Sequence, residues 1–222
     1  MRELSLLEAR VLGVLIEKAH TVPDSYPLSL NSLVSGCNQK TARDPVIGAT
    51  DAEVMTAVDG LKGLSLVFEG SSSRVLKFEH NLPRVLNLTA PAAALLTVLM
   101  LRGPQTSAEL RMNTDRLHRF EDIAAVETLL QAMADKEPAR VLKLARAAGE
   151  REARWAHLLC GEVSLPAPRA TSGGESAETA GQGVSAGEIA ALKAEQKRLA
   201  DELAELRALV QRIAADLGIP PP

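Results

Sequence analysis

The chain has 222 residues, of which 46% are hydrophobic, 24% are charged and only 2% are aromatic, and its formal net charge is −3. This length and composition indicate one or two globular domains plus an appendage, and they exclude a largely disordered chain. The scarcity of aromatic residues argues against the base-stacking platforms that readers of single-stranded nucleic acids use.

Four segments begin with a Ser/Thr-x-x-Glu capping box, in which a hydroxyl and a carboxylate satisfy backbone amides at the start of a helix. The pairs are Ser5/Glu8, Thr50/Glu53, Thr106/Glu109 and Ser185/Glu188. Each pair therefore predicts a helix start.

The first part of the chain predicts three helices followed by a hairpin. A broad apolar face begins after Ser5 and continues through about residue 19, a short helix follows at about 29–36, and a third helix starts at Thr50. The segments LSLVFEG and RVLKFEH bracket GSSS and predict a two-stranded hairpin with a polar tip. Three helices and a hairpin indicate a winged helix over residues 1–85.

The same order of elements recurs in the next part of the chain. LSLLEARVLGVLIEK at 4–18 aligns without a gap on LTAPAAALLTVLMLR at 88–102. TSAELRM predicts the second short helix, DIAAVETLLQAMADK the third helix, and ARVLKLA with EARWAHLLC the second hairpin, whose last strand should hold Trp155 and Leu158. We therefore predict a second winged helix at 86–162, with the first helix of each module as its most buried element.

Composition changes after Gly161, where Pro, Gly, Ser and Ala dominate and predict a flexible linker at 163–184. The segment 185–219 then carries a heptad pattern, which predicts a parallel, two-stranded coiled coil that makes a homodimer. Its seam positions are Ile189, Leu192, Gln196, Leu199, Leu203, Leu206, Val210 and Ile213. The alternative is a tail helix that packs on its own chain.

The expected fold class is mainly α with small β hairpins (α+β): tandem winged-helix domains followed by a C-terminal coiled-coil helix.

Charge is the first test for DNA binding, because phosphate neutralisation supplies most non-specific affinity. Residues 1–163 hold 19 Lys and Arg residues against 20 Asp and Glu residues, so there is no overall basic footprint. The first presumed recognition helix, DAEVMTAVDGLK, carries three acids against Lys62 alone, and the second is also acidic. Neither helix suits a groove lined with phosphates.

Two groups of polar residues remain candidates for contact with nucleic acid or a partner protein. The turn between the second and third helices holds Asn38, Gln39, Lys40 and Arg43. The second module holds Arg111, Arg116 and Arg119 before its third helix and Arg146, Arg151 and Arg154 in its hairpin. The alternative is structural: Asn38 caps a helix, Arg43 pairs with Asp44 or another acid, and the other arginines are solvated and paired with nearby acids.

No arrangement of residues predicts catalysis. The four histidines lie in separate segments without HExxH spacing, and there is no P-loop, GxGxxG or nucleophile elbow. Cys37 and Cys160 belong to no cluster with zinc spacing. We therefore expect no enzyme activity, no metal and no cofactor. The charged N-terminal segment and the short apolar run at 92–101 predict a cytoplasmic protein without a membrane span.

Several long motifs resemble a known bacterial family. They are EARVLGVLIEK, YPLSLNSLVSGCNQKTARDPV, LMLRGPQTSAELR, RLHRFEDIAAVE and REARWAHLL. Together they resemble the YceH-like family of uncharacterised bacterial proteins over roughly residues 1–160. The resemblance implies a tandem winged-helix fold, and it implies no catalytic residues.

Two functions are compatible with these patterns. The first is a non-enzymatic accessory or regulatory protein that contacts an unidentified protein partner through its winged helices, and the acidic third helices favour it. The alternative is a dimeric DNA-binding transcriptional regulator that contacts the DNA backbone through the second wing, and the local basic charge favours it.

Overall fold

The computed structural model describes residues 2–70, 75–146 and 152–163. These residues form seven α-helices and five short strands. The helices are α1 (Leu6–Thr21), α2 (Leu30–Cys37), α3 (Asp51–Gly63), α4 (Leu82–Val85), α5 (Ala90–Arg102), α6 (Ser107–Asn113) and α7 (Ile123–Ala134). The strands are β1 (Leu28–Ser29), β2 (Val67–Gly70), β3 (Lys77–His80), β4 (Val141–Lys143) and β5 (Trp155–His157). The predicted mixture of helices with small β-sheets is confirmed.

Three of the four predicted capping boxes are present, at the starts of α1, α3 and α6. At α3, for example, the Glu53 amide donates to Thr50 Oγ1 at 3.3 Å and the Thr50 amide donates to a Glu53 carboxylate oxygen at 2.8 Å. These local bonds explain why the helix starts were readable from the sequence. The fourth box, Ser185/Glu188, lies outside the described residues.

The order of three helices and a hairpin occurs twice, first in α1, α2, α3 and β2–β3, and then in α5, α6, α7 and β4–β5. Leu6 and Ala90, the first residues of α1 and α5, occupy equivalent positions in the predicted repeat. The short strand β1 pairs antiparallel with β3 and completes a three-stranded sheet. In the second half, Gln105 forms an isolated antiparallel bridge with Trp155 of β5. This bridge corresponds to the pairing of β1 with β3, but it involves only one residue on each side.

The second hairpin differs slightly from the prediction. Trp155 lies in β5 as predicted, and only 1% of its surface is exposed. Leu158 does not belong to the strand, which ends at His157, although the Leu158 amide still donates to the Arg140 carbonyl at 2.9 Å. The pairing therefore continues one residue beyond the regular ladder.

The core lies between the two halves, where α1 packs against α5. Leu12, Leu15, Leu96 and Leu99 are fully buried, so the predicted burial of the first helices is confirmed. A Cβ atom at Gly13 would lie 2.9 Å from Leu101 Cδ2, so a glycine is needed where α1 and α5 approach closely.

The described residues all belong to one compact unit, and Ala170–Pro222 lie outside the described residues. The predicted linker beyond Val163 and the predicted coiled coil therefore also lie outside them. None of the helices within residues 2–70, 75–146 and 152–163 is long and apolar enough to cross a membrane.

Candidate functional site

Arg43 connects the loop between α2 and α3 to α1 through hydrogen bonds. The Arg43 Nη2 atom donates to Glu17 Oε2 at 2.5 Å and to Gln39 Oε1 at 2.8 Å, and Nη1 donates to Glu17 Oε1 at 3.2 Å. The Nε atom donates to the Gly36 carbonyl at 3.0 Å, and the Arg43 side chain is 0% exposed. Its guanidinium is thus used inside the fold, and the partner is Glu17 on α1 rather than Asp44.

The Arg43–Glu17 pair is charged at neutral pH. Burial alone would raise the pKa of Glu17, but the hydrogen bonds and the positive charge of Arg43 lower it more, with a smaller contribution from Lys18. The net result is a Glu17 pKa below its ordinary value. The loop is therefore held by a hydrogen-bonded ion pair and not by two neutral groups.

A second buried arginine supports the same loop. Arg10, in α1, donates to the Cys37 carbonyl at 3.1 Å and to the Pro45 carbonyl at 2.7 Å. Burial lowers the pKa of Arg10 and raises the pKa of the Cys37 thiol to about 11. Cys37 is therefore a protonated core thiol at neutral pH.

The other polar residues of this loop differ in exposure. Asn38 closes the loop, because its Nδ2 atom donates to the Ala49 carbonyl and its Oδ1 atom accepts from the Ala49 amide, both at 2.8 Å. Gln39 is half-buried against Arg43, whereas Lys40 is exposed. Of the four candidate contact residues in this loop, Lys40 is thus the one that the fold leaves on the surface.

Neither third helix offers a cation to a partner. Lys62 is the only Lys or Arg residue of α3, and its Nζ atom lies 2.5 Å from Glu69 Oε2 on β2 and 3.5 Å from Asp59 Oδ1. Helix α7 has no Lys or Arg, and Glu127 is its only charged residue. The positive charge of α3 is therefore neutralised within the module, and α7 has none.

Two of the second-module arginines have structural contacts. Arg111 donates to the carbonyls of Phe120 and Glu121, at 3.3 and 2.8 Å, and so closes the loop between α6 and α7. Arg154 Nη1 lies 2.9 Å from Glu109 Oε2. Arg154 therefore has an acidic partner, as the structural interpretation holds, whereas Arg111 contacts backbone carbonyls instead.

The remaining candidate arginines are exposed or lie outside the described residues. Arg116 is exposed, and Arg119 is 88% exposed, with Nε 3.9 Å from Asp115 Oδ1. Arg146 is exposed at the second hairpin, and Arg151 lies outside the described residues. The seam residues Ile189, Leu192, Gln196, Leu199, Leu203, Leu206, Val210 and Ile213 also lie outside them.

The structure brings Arg146 together with Lys143, which the sequence had placed in the same hairpin. Both line a cleft of about 450 Å³, whose lining also includes Glu127 and Glu152. Lys143 Nζ lies 5.4 Å from the centre of the Trp155 ring, within range of a cation–π contact. Among the residues that the structure describes, two cations and two carboxylates line this cleft.

Two half-buried histidines, His80 and His157, are neutral at pH 7. Burial lowers the pKa of His80 and of His157 to about 4. Across residues 2–70, 75–146 and 152–163, no three His, Cys, Asp or Glu side chains lie together in a group that could hold a metal ion.

Sequence reasoning missed the two residues of α1 that hold the loop, Arg10 and Glu17. Glu17 lies 26 residues before its partner, so no local spacing reveals the pair. A signal did exist for Arg10, because it interrupts the apolar run ARVLGVLI in α1. The residues on both sides of Arg10 in this run are buried. A charged residue inside such a run must have buried partners.

The chain resembles other bacterial proteins over nearly its whole length. Residues 4–150 match the family model described as "Protein of unknown function, DUF480". A UPF0502 protein of Burkholderia multivorans is 62% identical over 219 residues, which cover 99% of this chain and 91% of that protein. A UPF0502 protein of Paraburkholderia phytofirmans is 63% identical over the same shares of the two chains. The similarity to an uncharacterised bacterial family is thereby confirmed, and the chain belongs to the DUF480/UPF0502 family.

Proposed function

We propose that the protein is a non-enzymatic accessory or regulatory protein that acts mainly through protein–protein contacts. In this proposal, two tandem winged helices at 1–85 and 86–162 supply the interaction surface, and the helix at 185–219 joins two protomers. A cytoplasmic location is part of the proposal.

The winged-helix assignment is supported by the order of the elements and by the strand pairing. A winged helix consists of three helices and a β-hairpin, often with a short strand before the second helix that pairs with the hairpin. Both β1, which pairs with β3, and the Gln105–Trp155 bridge match that short strand. The gapless alignment of α1 with α5 supports two copies of one module.

The observation that carries the functional proposal is the neutralisation of Lys62. A helix that reads the major groove lies between two phosphate rows, so cations on and beside it supply most of the affinity. Lys62 is instead held by Glu69 and Asp59, and the remaining charges of α3 are acidic. Placing this face against DNA would bring carboxylates to phosphates.

The second module supports the same conclusion. The exposed face of α7 consists mainly of apolar and small residues, beginning with Ile123, which is 44% exposed. Leu142, on the neighbouring hairpin, is 45% exposed. Apolar side chains with few charges are typical of the centre of protein–protein interfaces. A protein partner therefore fits this face better than a nucleic acid.

The proposal is tested with a fluorescein-labelled random DNA duplex, titrated at low salt with the full-length protein and followed by anisotropy. We expect no saturable binding at micromolar protein concentrations. Saturable binding that weakens as salt is added would contradict the proposal, because that dependence is characteristic of phosphate contacts.

A second function, binding of the DNA backbone through the second wing, is favoured by the exposure of Arg146 beside Lys143. In that case, replacing Arg146 and Arg151 with Ala should weaken DNA binding more than Lys62→Ala, because Lys62 already has acidic partners. Equal affinity of the wild type and the double wing variant would exclude this function.

A further inference from the structure

A long apolar groove lies between the start of α1, the loop before α3, the end of α5 and β5. It consists of two adjacent concavities of about 680 and 370 Å³. The residues common to both linings are Leu6, Asp44, Pro45, Met100 and His157. Because the linings share these five residues, the concavities are neighbouring parts of one groove.

The exposure of Leu6 is not explained by the fold. Leu6 is the first residue of α1 and is 78% exposed, the highest value among the large apolar side chains that the structure describes. Val46, in the loop next to Pro45, is 56% exposed. Helix propensity accounts for a leucine in the first turn of α1, but it does not account for the exposure of so large an apolar side chain. Exposed apolar residues beside a groove are typical of a binding surface.

The charges around the groove are acidic. Asp44 and Glu162 are exposed and line it, and Glu53 lines its smaller part. Among the described residues that line the groove, Arg10 is the only Lys or Arg, but it is 4% exposed and donates to the Cys37 and Pro45 carbonyls. The groove thus combines an apolar floor with exposed carboxylates, one of which, Asp44, also lines a neighbouring concavity together with Arg102 and Arg154.

We propose that this groove binds a segment of a partner protein that places one apolar side chain in each concavity and a Lys or Arg residue against Asp44 and Glu162. This inference rests on the proposed function and names the chemistry of the partner. The apolar floor provides affinity through burial, and the carboxylates select a cationic segment over an acidic one. The two adjacent concavities match a short peptide segment with two anchor residues.

The test begins with the selection of random, phage-displayed 12-residue peptides on the full-length protein. We expect enrichment of peptides with two apolar residues and at least one Lys or Arg. The strongest peptide, made with a fluorescent label, is then titrated with three variants: Leu6→Glu, Asp44→Asn and Met112→Glu. Met112 is the matched control, because it is an exposed apolar helix residue, 72% exposed, that does not line the groove.

Leu6→Glu should weaken peptide binding by about tenfold or more, because it removes the apolar side chain that lines both concavities, and this loss should exceed any attraction of the new carboxylate for the cation of the peptide. Asp44→Asn should weaken it by roughly fivefold, with a smaller effect at high salt. Met112→Glu should leave the affinity unchanged. Leu6→Glu keeps the fold, since an acidic residue suits the first turn of α1, and its melting temperature should equal that of the wild type.

Three results would overturn the inference. The first is that Leu6→Glu and Met112→Glu weaken peptide binding equally. The peptide would then bind outside the groove, and the proposed function through protein–protein contacts would still stand. The second is enrichment of peptides without cations, bound equally well by Asp44→Asn. The third is a change of sedimentation mass in Leu6→Glu without any peptide enrichment, which would make the groove an interface between copies of this chain.

Discussion

Replacing Arg43 with Met tests whether this residue holds the loop between α2 and α3 or is available to a partner. The substitution keeps much of the apolar stem and removes the guanidinium, which donates to Glu17, Gln39 and the carbonyls of Gly36 and Ala42. Glu17 would keep only Lys18, whose Nζ atom lies 3.4 Å away.

The expected loss follows from the burial of the pair. Removing one partner of a buried ion pair costs about 3–5 kcal/mol, and the lower end applies because the Glu17 side chain is 19% exposed. A loss of about 3 kcal/mol corresponds to a fall of about 6–12 °C in melting temperature for a domain of this size. Thermal unfolding followed by circular dichroism at pH 7 measures the fall directly.

The loss should depend on pH in a defined direction. The pKa of Glu17 is lower in the folded protein than its ordinary value of about 4.3, so the stabilisation is complete above that pH and is lost as the pH falls through the lower, folded pKa. The difference in melting temperature between wild type and Arg43→Met should therefore be largest at pH 7 and should shrink below about pH 4.

Arg119→Met is the matched control, because Arg119 is 88% exposed and makes only a 3.9 Å contact with Asp115. Such surface pairs contribute less than about 1 kcal/mol, so this variant should melt within about 3 °C of the wild type. If Arg43→Met melted as high as Arg119→Met, the structural role assigned to Arg43 would be wrong.

Two further predictions concern helix packing and assembly. In a denaturant titration, Gly36→Ala should lower the free energy of unfolding by roughly 1–3 kcal/mol, because the new Cβ atom would lie 2.5 Å from Val14 Cγ1. Gly48→Ala is the control and should leave that free energy unchanged, because a Cβ atom at Gly48 would meet open space. Leu199→Asp combined with Leu206→Asp should convert a dimer to a monomer in sedimentation, since both residues occupy d positions of the predicted seam. An unchanged sedimentation mass would remove the coiled-coil dimer from the proposal.

Helix starts and buried faces were predictable because their signals are local. The hydroxyl and the carboxylate of a capping box are three residues apart, so the bonds at Thr50 and Thr106 follow from the sequence itself. The apolar spacing of α1 and α5 similarly predicted full burial of Leu12 and Leu96.

Elements that depend on distant partners were not predictable. The strand β1 is two residues long and exists because β3 lies beside it, and α4 is a four-residue turn with a proline near its start. Neither one has a periodic pattern long enough to recognise.

The ion-pair partners in the candidate site were hidden for the same reason. The sequence left open whether Arg43 and Arg154 pair with acids, and it could not identify Glu17 and Glu109 as those acids, because both lie far away along the chain. The groove beside Leu6 was also invisible in the sequence, because its walls come from four segments that only the tertiary structure brings together.

The proposal rests on the two third helices: Lys62, the only cation of α3, is paired with Glu69 and Asp59, and α7 has no Lys or Arg, so we expect neither helix to read DNA. The most direct test of this expectation is the slope of the logarithm of DNA affinity against the logarithm of salt concentration for the full-length protein. Each phosphate contact contributes about −0.9 to that slope. The account predicts no saturable binding from which a slope could be obtained. Saturable binding with a clearly negative slope would contradict this expectation, and a slope of roughly −5 would correspond to about six phosphate contacts.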